Sequence, residues 1–127
     1  MADTQPIRVL VVDDHVMFTD ALTVVLEQDG RFEVVGTAAT GREAVRLAKD
    51  GNAEVVLMDM SMPVLDGPAA TRRLIALDHA PYVIALSGHT DGLSRAAALE
   101  AGASAFVTKS EAFEELVDTI LQTCGRT

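Results

Sequence analysis

Four consecutive apolar residues, Val9 to Val12, stop abruptly at Asp13 and Asp14 with no polar alternation before them. A strand that is apolar on both faces must be covered on both faces, which confines it to a sheet sandwiched between helices. The same unit recurs along the chain. Phe32 to Thr37, Glu54 to Met58, Tyr82 to Leu86 (opened by Pro81) and Ala103 to Thr108 read as four further strands. Longer amphipathic stretches separate them. His15 to Gln28 places Phe18, Ala21, Leu22, Val25 and Leu26 on one helical face, with Gly30 after the stop. In TGREAVRLAKDG, Thr40 and Glu43 have capping-box spacing and Gly51 suits the end. Asp66 caps a helix that tolerates Pro68 in its first turn and runs to about Leu77. Asp91 starts another that ends at Gly102. Ser110 caps the last, striped by Phe113, Leu116, Val117, Ile120 and Leu121.

Strictly alternating strands and helices imply a parallel sheet with right-handed crossovers. With 127 residues, the expectation is a single α/β domain over 1–127, its core about 7–121, with no output domain in this chain. At 49% hydrophobic but only 4% aromatic, the core must be built from Val, Leu, Ile and Ala. The net charge of -9 disfavours direct contact with nucleic acid or an anionic membrane. No apolar run approaches the roughly 20 residues needed to span a bilayer. The single Cys124 cannot form an internal disulfide, which fits a reducing, cytoplasmic setting.

The polar residues that interrupt this pattern share a position. Asp13 and Asp14 follow the first strand, Asp59 the third, Ser87 the fourth and Lys109 the fifth. In an open parallel sheet the carboxyl edge carries the ligand site, where strand order reverses. An order of 2-1-3-4-5 makes the first and third strands neighbours, so Asp14 and Asp59 face each other. Two like charges about 4 Å apart cost roughly 4 kcal/mol at an effective dielectric near 20. Three carboxylates against one ammonium leave an excess that a divalent cation would cancel. The candidate ligands are hard oxygens, which favours Mg²⁺ over Zn²⁺. Taken singly, each residue has a structural reading too: an N-cap, a turn, a solvated lysine.

Together, VVDDH, VLMDMSMPVLDG, the LSG after the fourth strand and GASAFVTKS resemble a response-regulator receiver domain of two-component signalling. The likeness runs from about Ile7 to Leu121, and DDH with GASAFVTKS is similar to the NarL/FixJ-type transcriptional regulators. The resemblance implies a flavodoxin-like receiver fold, five parallel strands with helices on both faces. It makes Asp59 the phosphoacceptor for a sensor histidine kinase. Asp14, Asp59 and the Ser61 backbone carbonyl would hold Mg²⁺, and Asp13 would act through a metal-bound water. Lys109 would pair with Asp59 and then with the phosphoryl oxygens, while Ser87 would donate its hydroxyl. Phe106, where the family often has Tyr, would turn inward with Ser87. Ser61 and His89 would modulate dephosphorylation. His15 and His79 read as surface residues.

The resemblance also implies a homodimer formed on phosphorylation and transcription controlled through an output domain absent from this chain. The domain would catalyse its own phosphorylation and dephosphorylation without being a turnover enzyme. Two other classes fit parts of the pattern: a small Mg²⁺-dependent hydrolase with a nucleophilic Asp, and a flavodoxin-like binding module whose acidic pair is structural. Multiple turnover of a phosphomonoester marks the first, and inertness to Mg²⁺ the second.

Overall fold

The computed structural model describes residues 5–60, 67–88 and 92–125, without the side chains of residues 92–94. Strands β1 (Ile7–Val12), β2 (Phe32–Ala38), β3 (Val55–Asp59), β4 (Tyr82–Ser87) and β5 (Ala105–Thr108) alternate with helices α1 (Val16–Asp29), α2 (Gly41–Gly51), α3 (Gly67–Ile75), α4 (Gly92–Ala101) and α5 (Ala112–Thr123). All strand pairs are parallel, in the order β2-β1-β3-β4-β5. No helix among the described residues is long and apolar enough to cross a membrane.

The uninterrupted apolar strands divide their side chains between two cores, because successive residues point to opposite faces. Val9, Val11, Leu57, Ile84 and Leu86 pack with Leu22 and Leu26 of α1 and Leu116 and Ile120 of α5. Leu10, Val12, Val56, Met58 and Ala85 pack on the other face, with Ala44 and Ala48 of α2, Ala70 and Leu74 of α3, and Ala98 of α4. Small alanines let three helices sit close to that face. Helices α2, α3 and α4 therefore cover one side, and α1 and α5 the other.

Several helix and strand ends differ from the sequence expectation, each for a local reason. On α1 the buried residues are Thr19, Leu22 and Leu26, while Ala21 is exposed and Phe18 and Val25 are half-buried. Helix α3 stops at Ile75 rather than Leu77 because its last turn tightens: Ala76 N donates to Arg73 O and Leu77 N to Leu74 O. Strand β5 starts at Ala105, not Ala103, because Ala103 N closes the end of α4 on Ala98 O, with Gly102 in the left-handed region at φ 113°.

Ser110 does not cap α5. The helix opens after Glu111, the Ser110 hydroxyl meets Thr108 Oγ1 at 3.3 Å, and Thr108 donates to Glu111 Oε1 at 2.6 Å. Phe113 leaves the buried stripe and is 45% exposed, with Ala112 taking its place in the core. The Thr40 cap is as expected: its side chain accepts from Glu43 N, and Glu43 Oε1 accepts from Ala39 N. The Asp66 cap and the Asp91 helix start lie outside the described residues.

Candidate functional site

The sheet register delivers the site residues to one edge. Val12 of β1 pairs with Met58 of β3, so the next residues, Asp13 and Asp59, leave the sheet side by side. Asp59 in turn pairs with Leu86, and Ser87 with Thr108. The ladder continues past the strands: Asp13 N donates to Ala38 O at 3.0 Å, Met60 N to Leu86 O at 2.9 Å and Lys109 N to Ser87 O at 2.8 Å. A bulge in β2, where Val9 pairs with Val34 but Leu10 with Gly36, sets the register that brings Ala38 to Asp13. Backbone hydrogen bonds thus fix where each chemical group starts.

The side chains converge from there. Asp13, Asp59 and Ser87 are buried, at 3%, 1% and 0% exposure. Lys109 extends back over the strand ends, its Nζ 2.6 Å from Asp13 Oδ2 and 3.5 Å from Asp59 Oδ2. The lysine therefore lies nearer Asp13 than the Asp59 expected as its partner. Its ammonium also sits 5.0 Å from the centre of the Phe18 ring, a cation–π contact that holds the stem against α1. Carboxylate oxygens of Asp13, Asp14 and Asp59 and a ring nitrogen of His15 lie within 4.8 Å of one another. Burial pushes the Asp13 carboxyl up, but hydrogen bonding from Lys109 and from the backbone and ring of His15 outweighs it, so the group is held below the usual carboxylate range.

His15 lies at the surface, as the sequence reading had it, but its side chain reaches the acidic cluster. Its ring is 68% exposed, yet Nδ1 lies 2.8 Å from Asp13 Oδ1, 3.3 Å from Asp14 Oδ1 and 3.4 Å from Lys109 Nζ. Its backbone N–H donates to Asp13 Oδ1 at 2.9 Å, the Asx turn that launches α1. An Asp two residues before a helix N-cap is the sequence signal for such a turn, and that turn brings the His15 side chain toward the pair.

Phe106 is half-buried against the α2–α4 core, and the Arg95 guanidinium lies 5.9 Å from its ring centre. Gly67 opens α3 against the end of β3: a Cβ there would come within 2.4 Å of Asp59 O and 2.5 Å of Met60 Cα. Ser61 and His89 lie outside the described residues.

Chemically, the cluster holds three carboxylates and one ammonium, an anionic excess that a bound cation would offset. The donors are hard oxygens with one imidazole, and the carboxylates stand close enough to share one small divalent ion. The residues fit Mg²⁺.

Comparison with known proteins gives a consistent result. The family described as response regulator receiver domain matches residues 9–121. The transcriptional regulatory protein LiaR of Bacillus subtilis is 37% identical over 114 residues, covering 90% of this chain and 54% of LiaR. The signal receiver domain of the response regulator NarL from Mycobacterium tuberculosis superposes with a TM-score of 0.90 at 29% identity, over 97% of this chain and 99% of that one. CheY of Borrelia burgdorferi, solved as a CheX–CheY–BeF₃–Mg²⁺ complex, gives 0.84 at 29% identity over 93% and 89%. The chain spans between 30% and 54% of the first curated relatives it matches.

Proposed function

The chain belongs to the response regulator receiver domain family, and from that premise we propose that it is a phosphoacceptor switch in which Asp59 takes a phosphoryl group from a sensor histidine kinase. The observation that carries this is the placement of a buried Asp59 carboxylate at the end of β3, 3.5 Å from Lys109 Nζ and within reach of two further carboxylates. An Asp59 oxygen attacks the phosphorus of a phosphohistidine. The N–P bond breaks, the histidine nitrogen leaves with the electron pair, and an acyl phosphate forms on Asp59. Attack by water later returns the carboxylate and releases inorganic phosphate.

The protein's part is positioning and electrostatics, because the transferring group spreads negative charge over three equatorial oxygens. Asp14, Asp59 and the Ser61 carbonyl would hold Mg²⁺, with Asp13 acting through water. The bound ion supplies positive charge where those oxygens gather it. Lys109, tethered by Asp13 and Phe18, stands ready to move onto the phosphoryl oxygens. Ser87, fixed by the ladder to Lys109, offers its hydroxyl from the neighbouring strand. Ser61 and His89 are the residues proposed to set the lifetime of the acyl phosphate.

Phosphorylation leaves Asp59 about one charge more negative and adds acceptor oxygens. Ser87 and Lys109 then gain partners, and the loops after β4 and β5 shift. Phe106 turns inward as its Arg95 contact is released, so the α4–β5–α5 surface changes and supports a homodimer. Transcription through a linked output domain is the proposed readout, supported by the likeness to LiaR. Incubation with acetyl phosphate and Mg²⁺ tests the proposal by intact mass. One phosphoryl increment per chain is expected, absent with chelator and absent in Asp59→Asn. Steady turnover of phosphomonoesters, or an increment that survives Asp59→Asn, would overturn it.

A further inference from the structure

We infer that the base of the α2–α3 layer holds a second binding site, a pocket that takes a small phosphate monoester of a sugar or nucleoside. It lies at the amino edge of the sheet, opposite Asp59, and stands apart from the phosphoacceptor reading. Arg8, near the start of β1, lines it; five residues of the same strand, about 16 Å, separate Arg8 from Asp13. The cavity encloses about 500 Å³, within the range of small-molecule sites. Lys49 in the last turn of α2 and His79 after α3 bring two further basic side chains to it.

These basic groups are uncommitted or pre-aimed. Among the described residues, the side chains of Lys49 and His79 have no hydrogen-bond or ion-pair partner, and Asp78, the carboxylate of the lining, pairs with neither. Arg8 is half-buried, and its Nε donates to Asn52 O at 2.7 Å. Asn52 caps α2 in the left-handed region at φ 56°, so this bond ties the guanidinium to the α2–β3 turn. A planar guanidinium held in this way suits a phosphate, and an ammonium beside it adds a point charge. The gathering of three basic side chains in one concavity is notable in a chain of net charge -9.

Two helix carboxyl ends also point at this edge, and their partial negative charge opposes an anion. Their carbonyls are largely answered already. Arg8 covers Asn52 O, and the tightened turn after α3 bonds Arg73 O and Leu74 O to Ala76 N and Leu77 N. The full charges of Arg8 and Lys49 therefore outweigh Asp78 and the residual dipoles. The cavity is much larger than a bare phosphate, and Ala48, Ala53 and Leu77 give it an apolar wall against which an organic body can pack. Asp78 can accept hydrogen bonds from the hydroxyls of that body.

Amide NMR titration of the full chain, without Mg²⁺ and at about 0.15 M salt to screen loose ion pairing, tests this. The probes are AMP, ribose 5-phosphate, adenosine and inorganic phosphate. Saturable shifts at Lys49, Asn52, Asp78 and His79 are expected with at least one of the two esters, with little change at Lys109. Lys49→Ala should weaken that binding roughly 10-fold, the scale of one charge-assisted hydrogen bond, and Lys49→Arg should largely retain it. Inorganic phosphate binding as tightly as the esters would overturn the inference, because the organic body would then contribute nothing. Adenosine binding as tightly as AMP would overturn it from the other side, by removing the phosphate contact. Shifts centred elsewhere, no saturation with either ester, or affinity unchanged in Lys49→Ala would overturn it too. None of these results touches phosphorylation of Asp59, which is read separately.

Discussion

Asp13 is where a single residue's surroundings matter most. Its carboxyl is buried, paired with Lys109 and hydrogen-bonded by His15, and is held below its ordinary value of 3.8. A group whose pKa is depressed by folding adds stability above its unfolded value and loses it as pH falls through the folded one. Urea midpoints should therefore drop as pH is lowered from about 5 through 3.8 and below, and the drop should shrink in Asp13→Asn. An identical acid profile in that variant would show that the Asp13 surroundings are not what the contacts say. Gly67 is a steric case. Its substitution by Ala drives a methyl into the Asp59 carbonyl and the Met60 backbone, neither of which can swing aside. A loss of roughly 1–3 kcal/mol by urea denaturation is expected, together with slower phosphorylation of the displaced Asp59. The meeting of Asp13, Asp59 and Lys109 was legible because each interrupts an apolar run at a strand end. His15 was not, since its approach to the pair depends on one backbone hydrogen bond that composition and periodicity do not reveal.

At the scale of elements, the sequence located the helices and strands better than their ends. Thr40 and Glu43 could be read as a cap because both partners lie within one turn, and the structure shows both hydrogen bonds. Removing the cap in Thr40→Ala should cost about 1 kcal/mol, measured by urea denaturation. Ser110 offered the same residue type but not the same role. The turn after β5 already satisfies Glu111 N and Ala112 N through Thr108 O and Lys109 O, so the helix starts one residue later than a Ser110 cap would have it. Phe113 likewise fits a helical stripe on paper. Its ring instead meets Phe18 edge-on at 5.8 Å on the rim between α1 and α5, a contact between elements that periodicity along one helix cannot supply.

For the molecule as a whole, the two-sided core follows from one physical fact, that strands apolar on both faces need helices above and below. That much was readable before any coordinates, and so was the shared edge on which Asp13, Asp59, Ser87 and Lys109 meet. The proposed consequence is long-range: charge added at Asp59 should alter the surface of α4, β5 and α5 through Ser87 and Lys109. Amide exchange with and without beryllofluoride and Mg²⁺ should show changed protection across β4, β5 and the turn at Lys109, and little change in β2. Uniform protection in both states would remove the switch while leaving the phosphoacceptor intact. The phosphoacceptor itself is tested most directly by reducing the phosphorylated protein with borohydride, which converts an aspartyl phosphate to homoserine at the modified position, and sequencing the peptides by mass. Homoserine at position 59 alone is the predicted result; homoserine at position 13 or 14, or none anywhere after phosphorylation, would contradict the account.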